Sequence, residues 1–147
     1  MDPVTPRLAD ILDPWLTSYA AERTGRRRDR LLAVGARARA CLDAEVGRIA
    51  TDPELRLIEL EHDAGTEDAA ARTVGADALP TLLILLTTDR WLPADRPDRL
   101  AQLQVLGALG KWMSSRRGPW WASYCDVLTL LVEVDRQREK AHQRVHH

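Results

Sequence analysis

Residues 78–86 read Ala-Leu-Pro-Thr-Leu-Leu-Ile-Leu-Leu, an apolar run with a proline near its start and the polar Thr87-Thr88-Asp89-Arg90 at its end. No segment constrains the fold more. Its length suits a buried strand, and a proline at the start of a strand removes no ladder hydrogen bond. Its composition leans the other way, because leucine prefers helices and β-branched residues are scarce. The assignment therefore rests on the segments around it.

Before this run, Leu8, Ile11, Leu12, Trp15, Leu16 and Tyr19 recur at helical spacing, and Asp13-Pro14 has the order of an N-cap and a first helical residue. Two short helical pieces meeting near position 13 are expected, ended by Gly25. Arginines at 23, 26, 27, 28 and 30 then have the polarity of an exposed connector. Leu31 to Val34 reads as a short buried strand or as the first turn of a helix reaching residue 50, and Gly35 favours the strand. Ala38, Cys41, Leu42, Val46 and Ile49 predict a helix over roughly 37–51 in either case.

In Leu55 to Asp63 the apolar residues fall on both faces of a strand, which suits a buried parallel strand. A helix capped by Asp52 with Pro53 in its first turn is the alternative. Thr66 through Ala71 predicts a short helix that Gly75 terminates. Residues 97–115 predict an amphipathic helix with Leu100, Leu103, Leu106, Leu109 and Met113 inward. A last helix is expected from Pro119 to about His142, with Trp121, Tyr124, Cys125, Leu128, Leu131, Val132 and Val134 inward.

The chain has 147 residues, 45% of them hydrophobic, and a formal net charge of −1. One soluble domain is expected, with a helical extension at 1–28, a core at 29–117 and a C-terminal helix at 118–147. No apolar run approaches the length of a membrane helix, and the N-terminus lacks a secretory pattern. The two cysteines, Cys41 and Cys125, form no disulfide framework, zinc knuckle or Cys-x-x-Cys pair, which fits a reducing cytoplasm. Charge balance argues against strong nonspecific nucleic-acid binding but leaves room for a local basic patch.

Over residues 30–115 the order is strand, helix, strand, helix, proline-initiated strand, helix. The segment Ala78-Leu79-Pro80-Thr81-Leu82-Leu83 resembles the part of the thioredoxin superfamily in which a proline precedes a central strand, and Leu57 to Asp63 resembles the strand before it. Within that superfamily, Ala33-Val34-Gly35, Ala78-Leu79-Pro80-Thr81-Leu82 and Asp98-Arg99 are similar to motifs of the circadian clock protein KaiB. The resemblance implies an α/β fold, a thioredoxin-like core with helical extensions at each end, and gives Pro80 a structural role. The alternative is an all-α fold. The paired cysteines of disulfide exchange are missing, so the resemblance implies a binding scaffold without redox chemistry.

Cys41, near Arg37 and Arg39, is a candidate single-cysteine redox centre, though a cysteine on an apolar helical face is more often packing material. His142 and His146, with Glu139 one turn before, have the spacing of a helical metal pair but no convincing further ligands, so no metal or other cofactor is expected. Glu59, Glu61, His62 and Asp63 are the densest acid/base group, but on a strand His62 would face away from the two glutamates. The partner-binding candidates are Arg26, Arg27, Arg28 and Arg30, whose guanidinium groups make forked contacts to carboxylate or phosphate, together with Trp120 and Trp121. Adjacent tryptophans cannot both face one core.

The function expected from these residues is a non-catalytic regulatory or assembly role through protein–protein contacts, with self-association through the C-terminal helix. An all-helical interaction or DNA-binding protein, with residues 26–51 as one long helix, is the alternative. A single-cysteine redox protein comes third. Nucleic acid is thus admitted as a partner but not favoured, and a membrane is not expected.

Overall fold

A computed structural model of the chain describes residues 6–115 and 124–143. Helix α1 spans Leu8–Ala21, α2 Gly25–Ala44, α3 Val46–Ile49, α4 Asp52–Asp63 and α5 Ala69–Thr73. A 3-10 turn at Ala76–Ala78 leads into α6, Leu79–Leu85, followed by α7, Arg96–Ser115, and α8, Tyr124–Gln143. Among the described residues every regular element is helical, and the β-bridge between Arg7 and Gly75 is isolated.

The α/β expectation is therefore corrected to all-α, and with it the thioredoxin-like and KaiB-like readings. Pro80 does not open a central strand. It lies buried in the first turn of α6, where its missing N–H has no intrahelical partner to lose. Leu79, Leu82, Leu83 and Leu86 are all at most 1% exposed, while Thr81, Ile84 and Leu85 on the other side of α6 are partly covered. Because Ile84 and Leu85 are apolar as well, the run shows no apolar periodicity, and leucine's helical preference favours the helix. Each such leucine contributes roughly 1.5–3 kcal/mol from burial.

The strand expected over 55–63 is the helix α4. Thr51 and Glu54 form a capping box, the Thr51 N–H donating to Glu54 Oε1 at 2.8 Å, and Pro53 sits in the first turn. Glu54 Oε2 also accepts the Gly75 N–H at 2.8 Å, which pins the start of α4 to the bridge beside Arg7. Only Ile58 of α4 is fully buried.

The break expected at Pro14 does not occur. Helix α1 runs through it because Leu8, Leu12, Leu16 and Ala20 form one buried stripe, and the proline sacrifices a single intrahelical bond. Asp13 does not cap a new helix, since its carboxylate pairs with Arg39, which also reaches Asp68 at 2.5 Å. Nor is Leu31–Val34 a strand: α2 is continuous from Gly25, and residues 26–30 belong to it rather than to a connector. Gly35 serves packing, because a Cβ there would lie 2.9 Å from Leu16 Cδ2 of α1. The boundary at 28/29 falls inside α2.

Helix α7 begins at Arg96 and runs to Ser115 as expected, with Leu103, Leu106, Leu109 and Met113 buried. Leu100, expected inward, is 37% exposed. Helix α8 lies along α7 and α6 through Val127, Leu130 and Val134. Leu128 and Val132, also expected inward, face solvent. Trp121 and the expected start at Pro119 lie outside the described residues, as do the side chains of Tyr124 and Cys125. No helix among the described residues is long and apolar enough to cross a membrane.

Candidate partner-binding site

Helix α1 ends at Ala21, and the chain reverses over Glu22–Thr24 into α2. Gly25 makes the turn at φ +61°, a left-handed conformation that costs glycine nothing. The next residues, Arg26, Arg27 and Arg28, are exposed on the first turn of α2, and Arg30 is half-buried behind them. This turn carries no acidic residue, and Thr24 caps it without a side-chain hydrogen bond. The free N–H groups and the positive end of the helix dipole thus add to the guanidinium charges. Among the described residues, no ion pair engages Arg26, Arg27 or Arg28.

Packing of α2 on α7 places a cleft of about 260 Å³ beside these residues, lined by Arg27, Arg30, Leu31, Pro97, Leu100, Ala101 and Gln104. Arg30 Nε stands 3.6 Å from Asp98 Oδ1, which ties the basic edge to the start of α7. Leu100 in the cleft and Leu32 on α2 are each 37% exposed, so apolar surface lies directly beside the basic edge. Guanidinium groups beside exposed leucine suit a carboxylate at the rim and an apolar side chain in the floor.

Of the four arginines named from the sequence, Arg27 and Arg30 line the cleft and Arg26 and Arg28 stand on the same stretch of α2 outside its lining, and the α7 wall was missed. No sequence signal marked it, since Leu100 continues the spacing of Leu103, Leu106 and Leu109 and only its 37% exposure sets it apart. Trp120 and Trp121 lie outside the described residues. A larger cleft of about 430 Å³ lies between α1 and α7, lined by Trp15, Ser18, Tyr19, Glu22, Arg23 and Trp112. Trp15 stacks on Tyr19 at 4.8 Å, and the Arg23 guanidinium lies 4.7 Å from the Tyr19 centroid.

The other candidates disperse. Cys41 is fully buried, and its thiol is pushed up to about 12, first by burial and then by the Glu45 carboxylate. Arg37 and Arg39 do not activate it. The Arg37 Nε donates to Gln102 at 2.6 Å, with its own pKa lowered by burial against the pull of Asp98. Arg39 is held by Asp13 and Asp68, whose carboxylates raise its pKa, the Asp13 hydrogen bond foremost. Glu59, Glu61, His62 and Asp63 are all exposed on α4, where Glu61 accepts from Thr66. His142 is exposed on α8 and His146 lies outside the described residues; among the described residues no cluster of three or more side chains fits a metal.

Fold and site together define an all-helical protein with a basic cleft floored by leucine and alanine. No family model matches the chain, and neither a curated protein nor a solved structure matches it.

Proposed function

We propose that the chain is a non-catalytic, all-helical interaction module, regulatory or assembly in role, whose α2/α7 cleft docks an acidic protein partner through Arg26, Arg27, Arg28 and Arg30. The observation that carries this reading is the unpaired arginine turn standing beside exposed leucine. Like charges at a helix N-terminus oppose the dipole and cost stability, so their concentration there suits a site for an anion. The leucines add what a carboxylate alone does not use. Catalysis has little support in a chain whose buried thiol stays protonated and whose acid/base residues are dispersed in solvent.

Nucleic acid is the second reading, favoured by α2 running unbroken from Gly25 to Ala44, although the single helix over 26–51 that it called for ends there and α3 is separate. Against it, α2 is committed to the core beyond its first turn through Leu31, Val34, Ala38, Cys41 and Leu42. Phosphate contacts alone would also leave the apolar floor unused. The outward Leu128 and Val132 leave α8 as a rival surface for self-association.

A titration of two labelled probes separates these readings: a peptide alternating glutamate with leucine, and a DNA duplex, each at about 50 and 200 mM salt. The peptide is expected to bind, and the combined Arg27→Ala and Arg30→Ala variant to lose it. Steep salt-dependent binding of the duplex alone would transfer the site to nucleic acid, and binding of neither would overturn the proposal.

A further inference from the structure

Helix α4 carries a second apolar stripe on the side away from its buried face. Pro53, Leu57, Leu60 and, just past its end, Ala64 follow one another at intervals of four, three and four residues, and all are exposed. Leu57 is 52% and Leu60 64% accessible. On a helix that spacing is one continuous face, opposite Leu55 and Ile58. Glu61 flanks the stripe on one side and Asp63 with the basic Arg56 on the other, with Glu59 next beyond Asp63. An apolar helical face rimmed by carboxylates is the complement of an apolar cleft rimmed by guanidinium groups.

The same chain carries each half, but it cannot bring its own two halves together. The arginine turn lies where α1 leads into α2, whereas Glu54 pins the start of α4 to Gly75, which pairs with Arg7 at the opposite end of α1. With 20 residues, α2 alone sets its ends about 30 Å apart.

We infer that the acidic partner of the arginine cleft is a second copy of this chain, whose α4 seats Leu57 and Leu60 on the α2/α7 cleft while its carboxylates meet Arg26, Arg27, Arg28 and Arg30. This rests on the reading of the cleft given above and names its occupant. The contact joins unlike surfaces, so each copy keeps one free cleft and one free α4, and assembly proceeds head to tail until a ring closes or a filament grows. Charge complementarity selects this pairing over two α4 helices meeting face to face, in which carboxylates would oppose carboxylates.

Sedimentation velocity on the whole chain across concentration and salt provides the test. Wild type is expected to associate beyond a monomer, less so at high salt. Arg27→Glu with Arg28→Glu, and separately Glu59→Lys with Asp63→Lys, are each expected to be monomeric alone. Mixed, they are expected to associate again, because the intact α4 of one meets the intact cleft of the other and the reversed charges of their remaining faces also complement each other. Circular dichroism on each confirms that these exposed changes leave the fold intact. A monomeric wild type overturns the inference, and if the acidic peptide still binds, the proposed function stands without it. Association that survives both charge reversals, or is lost only on Leu128→Ser with Val132→Ser, also overturns it.

Discussion

The side-chain amide of Gln102 donates from Nε2 to the Leu86 carbonyl at 2.9 Å, tying α7 to the end of α6 inside the bundle. The same nitrogen donates to the Trp91 carbonyl at 3.0 Å, and Oε1 accepts from Arg37 Nε. Gln102 is 0% exposed, so it fixes the chain between α6 and α7 to the helix that passes over it. Gln102→Leu would fill the space but strand two carbonyls and an arginine N–H. The expected loss is about 2–4 kcal/mol in urea unfolding, and a loss below about 1 kcal/mol would show that water replaces the amide.

Arg26 supplies a prediction in which stability and binding move in opposite directions. Arg26→Glu places an acid in the first turn of α2, in favour of the helix dipole and four residues before Arg30. Stability should rise by about 0.5–1 kcal/mol, read as a higher Tm, while affinity for the acidic peptide falls. A variant that loses stability would mean that Arg26 has a structural partner.

Cys41 gives a pH dependence with a definite sign. Its folded thiol titrates near 12 against 9.0 for a free thiol, so the native state holds the proton that the unfolded chain releases. The stability linked to this group is complete below pH 9, declines as pH rises past 9, and is lost through the folded pKa. The slope is roughly 1.4 kcal/mol per pH unit. Unfolding of wild type and Cys41→Ala, compared between pH 8 and 10.5, isolates this decline from that of other groups. Parallel curves would contradict a thiol held protonated by burial.

Two glycines in open space should respond oppositely to alanine. Neither Gly25 nor Gly47 has any atom within 4 Å of an added Cβ, but Gly25 has φ +61° and Gly47 lies in α3. Gly25→Ala is expected to cost about 1–2 kcal/mol from the left-handed backbone alone. Gly47→Ala should add about 0.5–1 kcal/mol by removing glycine's entropy from a helix. Chemical denaturation of the pair checks the signs; equal shifts would contradict the turn conformation at Gly25.

Legibility followed from how each helix is covered. Helix α7 was readable because Leu103, Leu106, Leu109 and Met113 recur at helical spacing and are all buried, though Ala101, Gln102 and Val105 widen the covered arc. Helix α4 was misread as a strand because Ile58 is covered by this chain while Leu57 and Leu60 face outwards, so apolar residues point two ways. The alternative helix is the one that forms, but its N-cap is Thr51, boxed with Glu54, and not Asp52 as expected. In α6 the ambiguity was inherent, since Ile84 and Leu85 on its less covered side are as apolar as the buried leucines and leave no polar face to reveal its period. Leu128 and Val132 on α8 were misplaced inward because hydrophobicity marks what gains from cover, and not what supplies it.

From the residues alone came the arginine concentration at 26–30, the amphipathic helix at 97–115 and the end of α1 before Gly25. These are local matters, set by charge, spacing and backbone freedom. Only the tertiary structure decided that every described element is helical, that α7 faces the arginines to form a cleft, and that α4 presents leucines at the far end of α1. Each of those depends on which surfaces pack together, and packing joins residues such as Gln102 and Arg37, 65 positions apart, that no local pattern relates.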